Sequence, residues 1–380
     1  MTTIYRSRLG ARVADVLQAR VTLVCAPVGS GKSTLLRQWL RDLEPIAETL
    51  PITWRIEHNH PNALRTAIAE AALPVLPQLQ WSLDDNASGA DLSTFSAAIE
   101  GSARHRPEVP LVIMLDEVQV LSEPSVLGML GAAIELLPES VRFVIATDAP
   151  MPLLLARLRL HHGVNEIGPA ELAFDDAELV DAVGADRAAE ALAQTGGWAA
   201  AVGALARGAD ALDRVRHYVR DELVRGLSPR ARTVLLETAV LARIDPITAD
   251  LVREADDTLV GLDELGARGR QPVRAGSVWQ HPPVVRTALL EVLDEESPER
   301  FAALTARVAA LDAMPTPLSQ RELDVLAELD GDASISAIAQ SLSISYHTAR
   351  THVRSIYAKL GVSSRAGAVR RARDAGLLPD

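Results

Sequence analysis

The stretch that most constrains this chain is a glycine-rich loop, Ala26-Pro27-Val28-Gly29-Ser30-Gly31-Lys32-Ser33. An apolar run over 21–25 precedes it, and Leu35, Leu36, Trp39 and Leu40 give helical spacing after it. A strand, such a loop and a helix in succession aim consecutive backbone N–H groups and a helix N-terminus at one anion. The loop fits the phosphate-cradling pattern G-x-x-x-x-G-K-[ST] except at its first glycine, which is Ala26 here. Gly29, Ser30, Gly31, Lys32, Ser33 and Thr34 are the expected phosphate-holding residues, with the Ser33 hydroxyl also a Mg2+ ligand. Composition sharpens the role of Lys32, because the chain has 36 arginines and only two lysines, Lys32 and Lys359. A lysine in such a loop must be a compact point charge, where a planar guanidinium fits poorly.

Short apolar runs recur at 52–56, 111–115 and 141–146, with helical patterns between them. Nearly all-apolar strands alternating with helices predict a parallel sheet covered on both faces. The run over 111–115 ends in Asp116-Glu117. At the edge of a parallel sheet that holds the glycine-rich loop, Asp116 would hold Mg2+ and Glu117 would polarise an attacking water. The expected ligand is ATP or ADP. From about residue 171 the strand signals stop, and Ala/Leu-rich helical text runs to about 313. It is broken by Gly196-Gly197, Ser228-Pro229 and Pro282-Pro283. Met314-Pro315-Thr316-Pro317 reads as a short stiff linker.

At 380 residues the chain exceeds one ordinary core, and 48% apolar with 23% charged residues is a globular composition. A net charge of −12 argues against a chain-wide nucleic-acid coat and leaves room for a local basic face. The one cysteine, Cys25, permits no internal disulfide and reads as core. The longest apolar stretch, 109–115, is far below the ~18 residues of a membrane span. No apolar leader follows the N-terminal charges, so the expectation is a cytoplasmic protein without a membrane partner. Asp84-Asp85, Asp175-Asp176 and Asp256-Asp257 read as solvated turns or caps, and His58/His60 and His161/His162 as surface or packing residues rather than zinc ligands.

The last 63 residues carry their own pattern. Ser319-Gln320-Arg321-Glu322 is a capping box, after which Leu323, Leu326 and Leu329 mark a buried stripe. Ser334 caps a short second helix with Ile338, Ala339 and Leu342 inward, and Ser345 caps a third. In the third, Ala349, Val353, Ile356 and Leu360 repeat at helical spacing, which leaves Arg350, Thr351 and Arg354 off the buried face. Residues 318–344 carry one basic and five acidic side chains, whereas 345–374 carry seven basic and one acidic. Positive charge thus begins at the third helix, as a phosphate-tracking surface requires.

Residues 318–326, Ile338-Ala339, 348–362 and Ser364-Arg365 closely resemble the LuxR-type helix-turn-helix. The resemblance implies base-reading positions at Arg350, Thr351 and Arg354. It gives Thr348, His352 and Lys359 backbone contacts or local packing, and it makes the helix 365–374 the contact of a homodimer on double-stranded DNA. Residues 23–39, 153–159, Gly196-Gly197-Trp198 and His281-Pro282 resemble the ATPase part of MalT-like LuxR regulators, members of the STAND class of signal-transduction ATPases. In that family Ala26 is normal, and His281 would touch phosphate. The implied fold is multidomain: an α/β P-loop NTPase domain over 1–170, a helical lid over 171–225, a winged-helix-like all-α module over 226–312, a linker over 313–317, and a four-helix DNA-binding domain over 318–380. The chain departs from the family at Thr147-Asp148-Ala149, where a Ser/Thr-Arg pair is usual, and at Ala199, where a proline is usual. No long helical-repeat sensor precedes the DNA-binding domain. The expected function is a transcriptional regulator gated by nucleotide, with slow hydrolysis at most. The alternatives are a regulator with a structural P-loop domain under a protein partner, and an active remodelling ATPase.

Overall fold

The computed structural model describes residues 4–60, 109–150, 163–208, 211–312 and 318–378, apart from Ser277, Asp332, Gly361 and Ser363, together with isolated residues of 63–71 and Arg159. Asp84-Asp85, His161/His162, most of the 153–159 segment and the linker 313–317 lie outside the described residues. The chain divides into two compact units, 1–215 with 266–270, and 216–265 with 271–380.

The first unit is built on five strands: β1 (Val21–Cys25), β2 (Glu48–Thr53), β3 (Leu111–Asp116), β4 (Val141–Thr147) and β5 (Val164–Ile167). Their order is β2-β3-β4-β1-β5, and every neighbouring pair is parallel. Alternation along the central strands feeds two cores. Leu23, Ile113, Leu115, Phe143 and Ile145 face one side, where the helix Pro124–Leu136 places Val126, Leu130 and Ile134. Val24, Val112, Met114, Val144 and Ala146 face the other, under Leu35, Leu36, Trp39 and Leu43 of the helix Lys32–Leu43. Arg20 closes the end of the first helix, donating to the carbonyls of Ile134, Leu137, Pro138 and Val141.

The edge strands differ from expectation. β2 runs Glu48–Thr53 rather than 52–56, and β5 was not foreseen. Each edge strand carries polar residues or a proline at its outward positions, which weakens the apolar signal that marks a central strand. The N-terminal segment forms two short helices, Ser7–Gly10 and Val13–Gln18, instead of one. Helices Asp176–Val183, Ala185–Thr195 and Ala199–Leu205 have a small core of their own, which includes Phe174, Leu179, Val202 and Leu205. Arg6 ties the N-terminus to them. It donates to Leu172 O at 2.6 Å, Ala173 O at 2.8 Å and Glu178 Oε2 at 2.6 Å, and lies 4.1 Å from the Phe174 ring centre.

The second unit contains helices Pro229–Glu237, Pro246–Arg253, Pro283–Glu296 and Pro298–Asp312. It also contains an antiparallel hairpin, β6 (Val273–Ala275) with β7 (Val278–Gln280), where the strand signals were expected to have stopped. Three-residue strands are too short to show a period of two. Four further helices follow, Gln320–Asp330, Ile335–Ser341, Tyr346–Leu360 and Arg365–Asp374. Their core includes Val325, Leu326, Leu329, Ile338, Val353, Ile356, Leu360, Ala368 and Ala372. Val325 takes the buried place expected of Leu323, which is half-buried. Leu251 and Leu311 also pack on this core, so the last four helices share apolar surface with the helices before them.

Candidate nucleotide site and nucleic-acid interface

Parallel strands bring their C-terminal ends to one edge of the sheet, which is where ligands bind in open α/β folds. β1 ends at the glycine-rich loop, and its neighbour β4 ends at Thr147-Asp148. β3, next to β4, ends at Asp116-Glu117. Gly29 and Gly31 have φ of +81° and +93°, which a side chain tolerates poorly. A Cβ on Gly29 would stand 2.5 Å from Trp198 Cζ2, and one on Gly31 would stand 3.0 Å from Ala199 Cβ. The Ala200 N–H donates to Gly29 O at 2.9 Å. The Trp198–Ala200 segment therefore lies directly on the loop. Ser30 and Lys32 are buried, while Ser33 and Thr34, in the first turn of the following helix, are half-buried.

Lys32 has a partner that the motif does not contain. Its ammonium donates to Ala26 O at 2.8 Å, to Pro27 O at 3.3 Å and to the Asp148 carboxylate. Asp148 is held in turn. Its N–H donates to Gln119 Oε1 at 3.1 Å, and Gln119 Nε2 donates to Asp148 Oδ2 at 3.2 Å and to Glu117 Oε2 at 2.6 Å. Glu117 has φ of +60°, an uncommon backbone state for a side chain of its size. Burial raises its pKa above the ordinary value, and the neighbouring Asp148 and Asp116 carboxylates raise it further. Asp116 accepts from the Glu117 N–H at 3.0 Å. Three carboxylates thus gather at this edge, and one of them, Asp148, is bonded to the lysine. Two of them were legible as the end of an apolar strand. Asp148 was visible only as the residue standing where an arginine was expected, Trp198 only as part of the Gly196-Gly197-Trp198 resemblance, and Gln119 carried no signal of a site role.

The cradle fits a phosphate. Its two left-handed glycines keep the loop free of side chains, a buried ammonium stands at the head of the helix, and that ammonium is already matched to an anion, the Asp148 carboxylate. Ser33 and Asp116 are the residues that would hold Mg2+, and the loop would hold the phosphates of ATP or ADP. His281 belongs to the second unit. It is 8% exposed, and neither ring nitrogen has a partner among the described residues. Burial, with Arg286 adding to it, lowers its pKa to about 3, so the ring is neutral.

At the other end of the chain the capping residues behave as expected. Glu322 completes the box with Ser319, Ser334 Oγ accepts from Ala337 N–H at 3.2 Å, and Ser345 Oγ accepts from Thr348 N–H at 3.0 Å. Ala349, Val353, Ile356 and Leu360 are buried, and Arg350, Thr351 and Arg354 are exposed on the opposite side of the same helix. No bond to either guanidinium is found among the described residues. Thr351 Oγ1 donates to His347 O at 2.9 Å, Thr348 is exposed beside the cap, and His352 is half-buried. Lys359 is held inside the domain, donating to the buried Glu322 at 2.7 Å, which favours packing over a phosphate contact.

Residues 316–372 match the family model for bacterial regulatory proteins of the luxR family. That match is confined to the C-terminal domain, which is a LuxR-type helix-turn-helix domain. Residues 16–157 match an AAA domain, which spans β1, the loop, β3 and β4. The chain is also similar to the HTH-type transcriptional regulator MalT of Serratia proteamaculans, 24% identical over 300 residues. That similarity covers 70% of this chain and 32% of the relative. The MalT of Vibrio cholerae is 23% identical over 299 residues, covering 70% of this chain and 33% of the relative. The chain therefore spans about a third of the length of the curated relatives it matches. Among solved structures, a Walker-type ATPase of Pyrococcus abyssi shares the fold with a TM-score of 0.55 at 16% identity, covering 75% of this chain and 95% of that one. Among the described residues, no helix is long and apolar enough to cross a membrane.

Proposed function

We propose that this protein is a DNA-binding transcriptional regulator whose DNA binding or oligomerisation is gated by ATP or ADP, with Mg2+, at the AAA domain. The observation that carries the nucleotide half is Lys32, a buried ammonium at the head of a helix whose loop is kept open by two left-handed glycines. In this reading Gly29, Ser30, Gly31, Lys32, Ser33 and Thr34 hold phosphate, Ser33 and Asp116 hold the metal, and His281 enters only as a neutral hydrogen-bond donor. Glu117 is the candidate base, and with an aspartate at 148 instead of an arginine, hydrolysis is slow or undetectable. The DNA half rests on the LuxR-family match and on the exposed face of the third helix. Arg350, Thr351 and Arg354 read bases there, with Thr348 and His352 beside them. The helix Arg365–Asp374 pairs two copies on an operator. A gate that moves an equilibrium from 1:99 to 99:1 requires roughly 5.5 kcal/mol of differential binding. Equilibrium dialysis at millimolar ligand tests the reading. Wild type retains ADP or ATP and Lys32→Ala does not; no retention by folded wild type rejects it.

The Lys32–Asp148 pair favours a second reading, in which the AAA domain is structural and a protein partner regulates the chain. Folded Lys32→Ala would then regulate normally in cells. A regulatory defect in that variant rejects this alternative.

A further inference from the structure

The lysine of the phosphate loop is chemically saturated. An ammonium has three N–H donors, and Lys32 has three acceptors, Ala26 O, Pro27 O and the Asp148 carboxylate. Both charged side chains are withdrawn from water, at 6% and 13% exposure. Asp148 is also fixed in place. Gln119 bonds both its N–H and its carboxylate. Gly269, at φ +63°, packs so closely that a Cβ there would stand 2.3 Å from Asp148 Cβ. The carboxylate is a built feature of the sheet edge and not a flexible side chain resting on the nearest cation.

Its position decides what it opposes. β4 lies between β1, which carries the loop, and β3, which carries Asp116 and Glu117. In a loop of this kind the backbone amides cradle the inner phosphates of a nucleotide, while the lysine reaches the outer ones. A β-phosphate can remain on the amides and take a Lys32 proton from a backbone carbonyl. A γ-phosphate has no such cradle. It needs the place on Lys32 that Asp148 holds, beside two further carboxylates, and it strands a buried anion when it arrives.

We propose that Asp148 is an internal counter-anion that competes with the terminal phosphate for Lys32, and so sets both the affinity of the site and its preference for a nucleoside diphosphate over the triphosphate. The inference rests on the nucleotide reading above and adds the residue that determines its specificity. Asp148→Asn keeps the shape and removes the charge, and Asp148→Ala removes the side chain in case the asparagine keeps the bond to Lys32. Each variant tightens ADP by about tenfold and ATP by about a hundredfold, the scale of one unscreened charge a few ångströms away.

The test is calorimetric titration of the full chain, freed of carried-over nucleotide, with Mg-ADP and Mg-ATP. The two-lysine composition supplies a second readout, since protein labelled with 15N-lysine has two side-chain ammonium groups, Lys32 and Lys359. In wild type the Lys32 signal moves on addition of nucleotide. In the Asp148 variants it has already moved before ligand is added, while the Lys359 signal reports an intact fold. Unchanged or weaker affinity for both nucleotides in a folded variant overturns the inference and leaves the nucleotide reading standing. Equal tightening of ADP and ATP overturns the specificity. If neither wild type nor the variants bind either nucleotide, the reading and the inference fall together.

Discussion

Glu322 should be one of the most sensitive residues of the DNA-binding end, although it was expected only to complete a helix cap. It is 4% exposed and touches three groups at once. The Ser319 N–H donates to it at 2.5 Å, Lys359 Nζ donates at 2.7 Å, and the Ser355 hydroxyl donates as well. Ser355 and Lys359 belong to the third helix, so one carboxylate fixes the first helix against the one that carries Arg350 and Arg354. Burial by itself pushes the Glu322 pKa up, but the bonds from Lys359, Ser355 and Ser319 outweigh it and hold it at about 2. Glu322→Ala removes the cap and leaves the Lys359 ammonium, at 23% exposure, without its carboxylate. Breaking a buried pair costs about 3–5 kcal/mol, and the residual exposure of Lys359 places this one at the low end, about 3 kcal/mol. At about 2–4 °C per kcal/mol for a unit of this size, Tm should fall by about 6–12 °C. Because the folded pKa lies below the unfolded value, the contribution is complete above about pH 4.5 and is lost as pH falls toward 2. The assay is thermal unfolding of wild type, Glu322→Ala, Lys359→Met and the double variant at pH 7 and pH 3. The two changes should couple by about 1–2 kcal/mol at pH 7 and by less at pH 3. Additivity at pH 7, or a Tm within about 2 °C of wild type for Glu322→Ala, refutes the clamp.

The remaining expectations concern other parts of the chain. Arg354→Ala should lose about ten- to a hundredfold in specific DNA affinity and relax preference at one base, as one arginine–guanine pair does. Arg370→Ala should only flatten the salt slope, and a binding-site selection giving one motif for wild type and the Arg350/Arg354 double alanine variant would show the reading face to be misplaced. Arg6→Ala should destabilise the first unit by about 3 kcal/mol, the low end for breaking a buried pair, because Glu178 would stay buried with only the more exposed Arg8 as its cation; urea unfolding with an unchanged midpoint would contradict this. The unfolded chain protonates His281 near pH 6.5, while the folded chain refuses the proton until about pH 3. Stability from this site is therefore complete above about 6.5 and declines as pH drops, and His281→Leu should flatten the unfolding curve between pH 6.5 and 4.5. A slope unchanged from wild type would mean that the ring is not buried neutral.

How much of this was legible beforehand follows the range of each interaction. The central strands, the phosphate loop and the helices of the DNA-binding end are written in local pattern. The continuous apolar run over 111–115, the glycines at 29 and 31, the serine caps, and the spacing of Ala349, Val353, Ile356 and Leu360 each act through near neighbours in the chain. Edge strand β2 was displaced toward 52–56 and β5 escaped because an edge needs no continuous apolar run, and the hairpin of β6 and β7 escaped because three residues show no period. The partners of the two lysines were beyond any local pattern. Lys32 meets Asp148 across 116 positions, because parallel pairing sets β4 beside β1, and Lys359 meets Glu322 across 37, because two helices cross. Which charges stand in the phosphate site is determined residue by residue in the sequence, but which of them face one another is decided by strand order and helix packing. That is why a carboxylate visible only as a missing arginine becomes, in the fold, the counter-charge of the phosphate lysine.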